Sequence, residues 1–383
     1  MNSPVPARKF ERILLVKPSA FGDVLHTLPV LVKLRARYPA ARIDWLITPE
    51  NSELVRYHPA ISSVVLFPRD ELARLRQARS AVSGLLRLFG EIRQGRYDLV
   101  IDLHGQMRSA LFTLATGAAV RIGFDRPQRH LLRASRTSSS GQVGLHGWHG
   151  AREGSWLAYT HRISIPTLDV HAVDRYLWVG AMLGLDAGPP DLRVYWPEQA
   201  DQRVDDMLRD AGLPRQGFAI LVPTTIWETK HWPADRFAAV GRYLLQQGIP
   251  VIVAGAPGDE KRCSVVVDDC PGARDLSGRT SLSEFAAMMN RSTVNVTNDS
   301  GSMHLAVALG RPVVSVFGPT SPVWIGPYGR ADSVVRAALP CSPCYLKKLS
   351  ACPFGHACMN EVTPQMVIDR VRQQLGQRQS SAA

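Results

Sequence analysis

No run of about eighteen apolar residues occurs in this 383-residue chain, so no segment has the length of a membrane-spanning helix. Residues 1–11 lack the unbroken apolar stretch of a signal peptide, and a cytoplasmic protein is expected. No Gly-x-Gly-x-x-Gly follows the first apolar strand, and no Gly-x4-Gly-Lys-Ser/Thr occurs anywhere, which argues against a typical dinucleotide oxidoreductase or a P-loop NTPase. Dense acidic clusters are missing too. Asp23 and Asp299 each stand apart, so a tightly held divalent metal is not implied. Cysteine is absent from the first 262 residues, and the six that follow do not suggest a disulfide scaffold in a reducing compartment.

Acidic residues are also scarce in one part of the chain. Residues 1–165 carry 24 Lys and Arg against 12 Asp and Glu, whereas the remainder carries 21 of each, so the whole net charge of +12 lies in the first part. That asymmetry suggests a polyanionic partner for the first part: nucleic acid, a phosphorylated glycolipid or an anionic membrane surface. A solvated basic face is the plainer alternative.

What is present is a rhythm of strands and helices. Apolar runs at 12–17, 43–47, 64–67 and 99–103 alternate with helical patterns at 24–38 and from about 72 to 93. After a connection over 126–166 and a Pro/Gly-rich stretch at 185–190, a second series begins at 218–222. It continues through a helix at 233–247, a strand at 250–255, a helix at 283–290 and a final helix at 364–377. This predicts an α/β protein with two doubly wound parallel sheets. The domains expected are 1–188 and 189–362, with 363–383 a helix and tail packing back on the first domain. Two such domains facing one another would create a cleft suited to a two-substrate enzyme.

The most informative segment runs from Thr293 to Gly310. It reads as strand, Asp299-Ser300-Gly301 turn, then helix, with Gly310 suited to end that helix. Asp299 or Ser300 can cap the helix, and unpaired N–H groups at its start suit a phosphate. An ordinary capped helix is the plain alternative. Thr224 and Thr225 end another strand shortly before Lys230, and two hydroxyls with an ammonium at a sheet edge match what a diphosphate needs. Asp259 lies in an acidic turn where ribose hydroxyls would sit, or is simply solvated. Near the N-terminus, Ser19 and Gly22 precede Asp23, which is either a helix cap or a general base. Cys341, Cys344, Cys352 and Cys358, spaced by two, seven and five residues with His356 among them, form either a zinc knot or a set of free thiols.

Three blocks together resemble glycosyltransferase family 9, the ADP-heptose:lipopolysaccharide heptosyltransferases. They are Leu15 to Pro29, Thr224-Thr225 with Lys230-His231-Trp232-Pro233, and Asp299-Ser300-Gly301 with His304 followed by Phe317-Gly318-Pro319-Thr320. Ser300 stands where Thr is common, and it keeps the hydroxyl. The resemblance implies a GT-B fold of two Rossmann-like domains and an inverting transfer that requires no metal cofactor. It implies Asp23 as general base, and a donor site of Ser19, Gly22, Thr224, Thr225, Lys230, Asp259, Asp299, Ser300, Gly301, Ser302 and His304. It also implies ADP-heptose as donor and a lipopolysaccharide core acceptor met by Arg69, Arg74, Arg76, Arg79 and Arg108. These arginines and the 126–166 segment would dock the protein on the anionic cytoplasmic face of the inner membrane. A nucleotide-sugar enzyme with another donor, an epimerase, and a non-enzymatic polyanion-binding protein are the alternatives. Nucleic acid is not the partner expected.

Overall fold

The computed structural model describes residues 5, 8–69, 79–126, 148 and 150–381. They form two compact units, divided after Tyr195 rather than near residue 188.

The first unit is built on six parallel strands: β1 (Arg12–Val16), β2 (Arg42–Ile47), β3 (Ser63–Leu66), β4 (Leu99–Asp102), β5 (Val120–Phe124) and β6 (His161–Ile163). Their order is β3-β2-β1-β4-β5-β6. The second unit repeats this plan with β7 (Ala219–Val222), β8 (Val251–Val253), β9 (Arg274–Asp275), β10 (Val294–Asn298), β11 (Val313–Phe317) and β12 (Val334–Arg336), ordered β12-β11-β10-β7-β8-β9. In each unit the first strand lies centrally beside the fourth, the Rossmann arrangement. Winding changes direction there, so loops after β1 and β4, and after β7 and β10, open a crevice at the carboxyl edge.

The apolar runs explain the central strands. Ile13 to Val16 and every residue of β11 are buried, as strands covered by helices on both faces must be. In the first unit, Leu14, Val16, Leu46 and Val100 pack against Leu88, Ile92 and Phe112 from the helices Arg79–Gln94 and Met107–Ala115. In the second, Leu221, Val253, Val296 and Val316 meet Phe237 and Leu244 from Ala234–Gln246.

Three expectations change. The connection over 126–166 is not wholly irregular, because β6 pairs with β5 and a 3-10 turn covers Ser155–Ala158. The final helix extends over Pro364–Ser381, and Val367 and Val371 complete the second core. The helix expected from residue 72 is described from Arg79, the preceding residues lying outside the described set.

Candidate functional site

In the first unit, β1 delivers Lys17 to the crevice, and the helix Phe21–Arg37 begins four residues later. Gly22 and Asp23 therefore fall in the first helical turn. Asp23 Oδ2 reaches back to the Ala20 N–H at 3.4 Å, the cap-like contact, but Oδ1 accepts a 2.7 Å hydrogen bond from the Tyr176 hydroxyl. Lys17 Nζ stands 3.7 Å from Oδ1 and donates to Tyr176 Oη at 2.8 Å and to the Leu103 carbonyl at 3.3 Å. Lys17 is buried, whereas the Asp23 side chain keeps 40% of its exposure.

Burial alone would raise the Asp23 carboxyl. The Lys17 ammonium, the Tyr176 hydroxyl and the Ala20 N–H outweigh it and hold the group below its ordinary value. The same burial lowers Lys17, with Asp23 opposing the shift. The result is an ionised, fixed carboxylate with one open side.

The loop after β4 is shaped by a second acid. Asp102 is fully buried; Oδ1 accepts the N–H groups of His104 and Gly105 at 2.9 and 3.1 Å, and Oδ2 accepts the Tyr159 hydroxyl at 2.8 Å. Gly105 has φ +69°, a conformation that favours glycine at this turn. The loop presents His104, whose pKa burial pushes down to about 3, with Lys17 adding to the shift, so the imidazole is neutral. His104 lines a cavity of about 110 Å³ with Pro18, Ser19, Phe67, Arg69, Gln106, Arg108, Ser109 and Phe112.

In the second unit, Thr224 and Thr225 follow β7, and Asp299-Ser300 follows β10. Thr225 Oγ1 donates to the Asp299 carbonyl at 3.1 Å. Lys230 Nζ lies 2.7 Å from Asp299 Oδ2, which also accepts from the Thr320 hydroxyl. Asp299 is therefore an ion-pair partner and not a helix cap. Ser300 takes the cap position of the helix Gly301–Ala308 with an extended backbone, yet its side chain makes no capping bond. Ser300 Oγ is buried without a protein partner, a polar group that native structures seldom leave unsatisfied. Ser302 sits half-buried in the first turn and His304 is buried in the next. Gly310, φ +64°, follows the helix end.

Two further contacts pin the Lys230 loop. The Trp232 N–H donates to Asn298 Oδ1 at 2.9 Å, and the Lys230 ammonium lies 4.5 Å from the centre of the Trp227 ring. His231 Nε2 accepts the Thr225 N–H at 3.3 Å. Asp259 belongs to the neighbouring turn after β8, where its carboxylate accepts the Ala256 N–H at 3.0 Å and influences His231.

Each unit thus gathers polar and charged side chains on the loops at the carboxyl edge of its sheet. A model described as glycosyltransferase family 9 (heptosyltransferase) matches residues 85–143 and 137–353, more than half of the chain. The chain belongs to this family. Among relatives of the family 9 chain, lipopolysaccharide heptosyltransferase 1 of Pseudomonas aeruginosa is 30% identical over 341 residues, covering 88% of this chain and 86% of the relative. Lipopolysaccharide heptosyltransferase 2 of Escherichia coli K12 is 24% identical and covers 96% of this chain and 100% of the relative. Among solved structures, an E. coli heptosyltransferase with ADP superposes with a TM-score of 0.73 at 24% identity, covering 95% of this chain and 99% of that one. A family 9 protein from Veillonella parvula gives 0.75 at 23%, covering 96% and 98%. The fold is thus GT-B and the activity class is glycosyl transfer.

The remaining expected residues of this family 9 glycosyltransferase divide. Arg69 and Arg108 are exposed at the cavity beside Ser19. Arg74 and Arg76 lie outside the described residues, as does the side chain of Arg79. Cys341, Cys344 and Cys352 are half-buried free thiols, and Cys358 is buried. Burial pushes the Cys358 thiol up to about 11, with Cys344, Cys341 and Cys352 adding to the shift, so the four lie near one another. His356 Nε2 is engaged with the Thr229 carbonyl at 2.6 Å. Among the described residues, no three His, Cys, Asp or Glu side chains are arranged to hold a metal ion. Lys17, Asp102, His104, Tyr176 and Thr320 received no role from the sequence, although Lys17 and Thr320 lie within the blocks that carry the resemblance.

Proposed function

We propose that this glycosyltransferase moves a heptose from ADP-L-glycero-D-manno-heptose to the inner core of lipopolysaccharide, on a lipid A-Kdo or heptosylated acceptor. The observation that carries this reading is the unsatisfied Ser300 hydroxyl at the head of the helix Gly301–Ala308, beside Lys230 and Thr225 at the β7/β10 edge. A diphosphate supplies acceptors for that hydroxyl and for the first helical N–H groups, and it shares Lys230 with Asp299. Relatives named for heptose transfer to lipopolysaccharide support the sugar and the acceptor. The acceptor places the enzyme at the cytoplasmic face of the inner membrane.

In the reaction, the Asp23 carboxylate takes the proton of an acceptor hydroxyl. The oxygen forms a bond to the anomeric carbon, and the bond from that carbon to the β-phosphate oxygen breaks. The electron pair leaves with ADP, and a single displacement inverts the anomeric configuration. The leaving charge is met by Lys230, the threonine hydroxyls and the helix end.

Calorimetry with ADP-, UDP- and GDP-sugars, followed by transfer assays on heptose-deficient lipopolysaccharide, tests the reading. ADP-sugars should bind preferentially. Asp23→Asn should cut turnover by roughly 10²–10⁴-fold while leaving donor affinity intact. Full activity in that variant removes the assigned base. Release of free nucleotide and epimerised sugar without acceptor overturns the transfer itself.

A further inference from the structure

The helix Met107–Ala115 turns an apolar stripe outward. Met107, Leu111 and Leu114 are spaced to share one helical face, and they are 41%, 49% and 48% exposed, while Leu157 in the adjoining 3-10 turn is 75% exposed. A Cβ placed on Gly154 would lie 3.5 Å from Met107 Cε and 4.0 Å from Leu157 Cδ1, so these two side chains adjoin. The opposite face of the helix is filled normally, with Phe112 against Phe67 and Phe89 at 4.9 and 5.7 Å between ring centres. Contiguous outward apolar side chains on a basic unit mark a contact surface more often than scattered single ones do.

Guanidinium groups rim this stripe. Arg108 follows Met107 and is exposed, the Arg93 guanidinium lies over Gly117 just beyond the helix end, and Arg162 Nε donates to the Trp156 carbonyl at 3.1 Å, beside Leu157. Arg152 is also exposed close by, its N–H bonded to the Gly105 carbonyl. The nearby carboxylates are Glu153, which accepts the Met107 N–H at 3.1 Å, and Asp125, 3.9 Å from Arg162. Cations prevail over anions around an apolar centre. A second copy of the chain fits this poorly, because a two-fold pairing of this face sets one cationic rim against another. An anionic bilayer satisfies both the apolar centre and the cationic rim.

We propose that this face rests on an anionic lipid surface, Met107, Leu111, Leu114 and Leu157 entering the headgroup boundary while Arg93, Arg108 and Arg162 meet lipid phosphates. Its position suits the reaction. The stripe begins where Gln106, Arg108 and Ser109 line the cavity beside Ser19, so a lipid-borne acceptor lying in that surface reaches the cavity without leaving its membrane. Only this last step rests on the transfer reading; the apolar face and its rim stand without it.

The test uses full-length protein sedimented with vesicles of phosphatidylethanolamine and phosphatidylglycerol, compared with vesicles of phosphatidylcholine alone. Wild type should bind the anionic vesicles more tightly. Leu111→Ser/Leu114→Ser/Leu157→Ser should lose at least roughly tenfold in binding, equivalent to about 1.4 kcal/mol, with an unchanged melting temperature. Val265→Ser, an exposed apolar position on the helix Glu260–Asp268, should bind like wild type. Equal binding by the triple variant overturns the proposal, as does a wild type that ignores both vesicles. A wild-type dimer that the triple variant dissolves overturns it too, by making the face an interface between copies. Transfer to a deacylated, water-soluble acceptor is measured alongside: its absence counts against the proposed reaction, and its retention by the triple variant with loss on vesicle-borne acceptor supports docking.

Discussion

Asp23, the proposed base, would owe that role to its position and not to basicity. Its Oδ1 is occupied by Tyr176 and faces Lys17, Oδ2 meets the Ala20 N–H at 3.4 Å, and the side chain stays 40% exposed. Because its folded pKa lies below the ordinary 3.8, the base is ionised throughout the neutral range, and activity should be lost only as pH falls through that depressed value. Tyr176→Phe removes a bond that stabilises the charged form, so the acidic limb of kcat/KM should move upward in pH while donor affinity stays unchanged. Lys17→Met should move it further, since burial then dominates. A limb that stays in place in both variants rules out this positioning role. Asp23 was legible because a strand, a glycine turn and a helix start surround it in sequence. Tyr176 was not: it lies 153 residues away, and only the packing of the helix Ala172–Leu177 against Phe21–Arg37 brings its hydroxyl to the carboxylate.

At the scale of elements, the two switch points decide where chemistry can occur, and they were readable from apolar runs closed by polar turns. Several of the elements missed lack that contrast. β9 has two residues, β6 offers only Ile163 as an aliphatic residue, and the helix Glu198–Asp210 is polar apart from Met207 and a thin buried line of Ala200, Val204 and Leu208. The end of β10 does more than carry Asp299, since Asn298 also fastens the loop before the helix Ala234–Gln246 through the Trp232 N–H. Asn298→Ala leaves that buried N–H unpaired and should cost about 1–3 kcal/mol in chemical denaturation while weakening donor binding. Lys230→Met should be more severe. Its partner Asp299 is 4% exposed, so the uncompensated carboxylate should cost about 3 kcal/mol, with ADP affinity falling by roughly tenfold or more. An unaltered ADP affinity in Lys230→Met removes the ammonium from the diphosphate site.

For the whole molecule, the charge asymmetry visible in sequence separates the two binding tasks. The 24 cationic against 12 anionic residues of the first 165 create an attractive field for a polyanion, whereas in the proposed reaction the balanced remainder would hold its diphosphate through a few buried groups. Screening acts mainly on exposed charges: the Debye length is about 10 Å at 0.1 M salt, and partly buried pairs feel it much less. Arg69, Arg93, Arg108 and Arg162 are exposed, but the Lys230 side chain is only 12% exposed. Raising salt from low to physiological strength should therefore increase the KM for a phosphorylated lipid acceptor several-fold and change the donor dissociation constant far less. Initial rates and calorimetry across one salt series measure both quantities. Equal salt slopes for the two substrates would mean that the basic part contributes no steering, and its arginines would then be a solvated face.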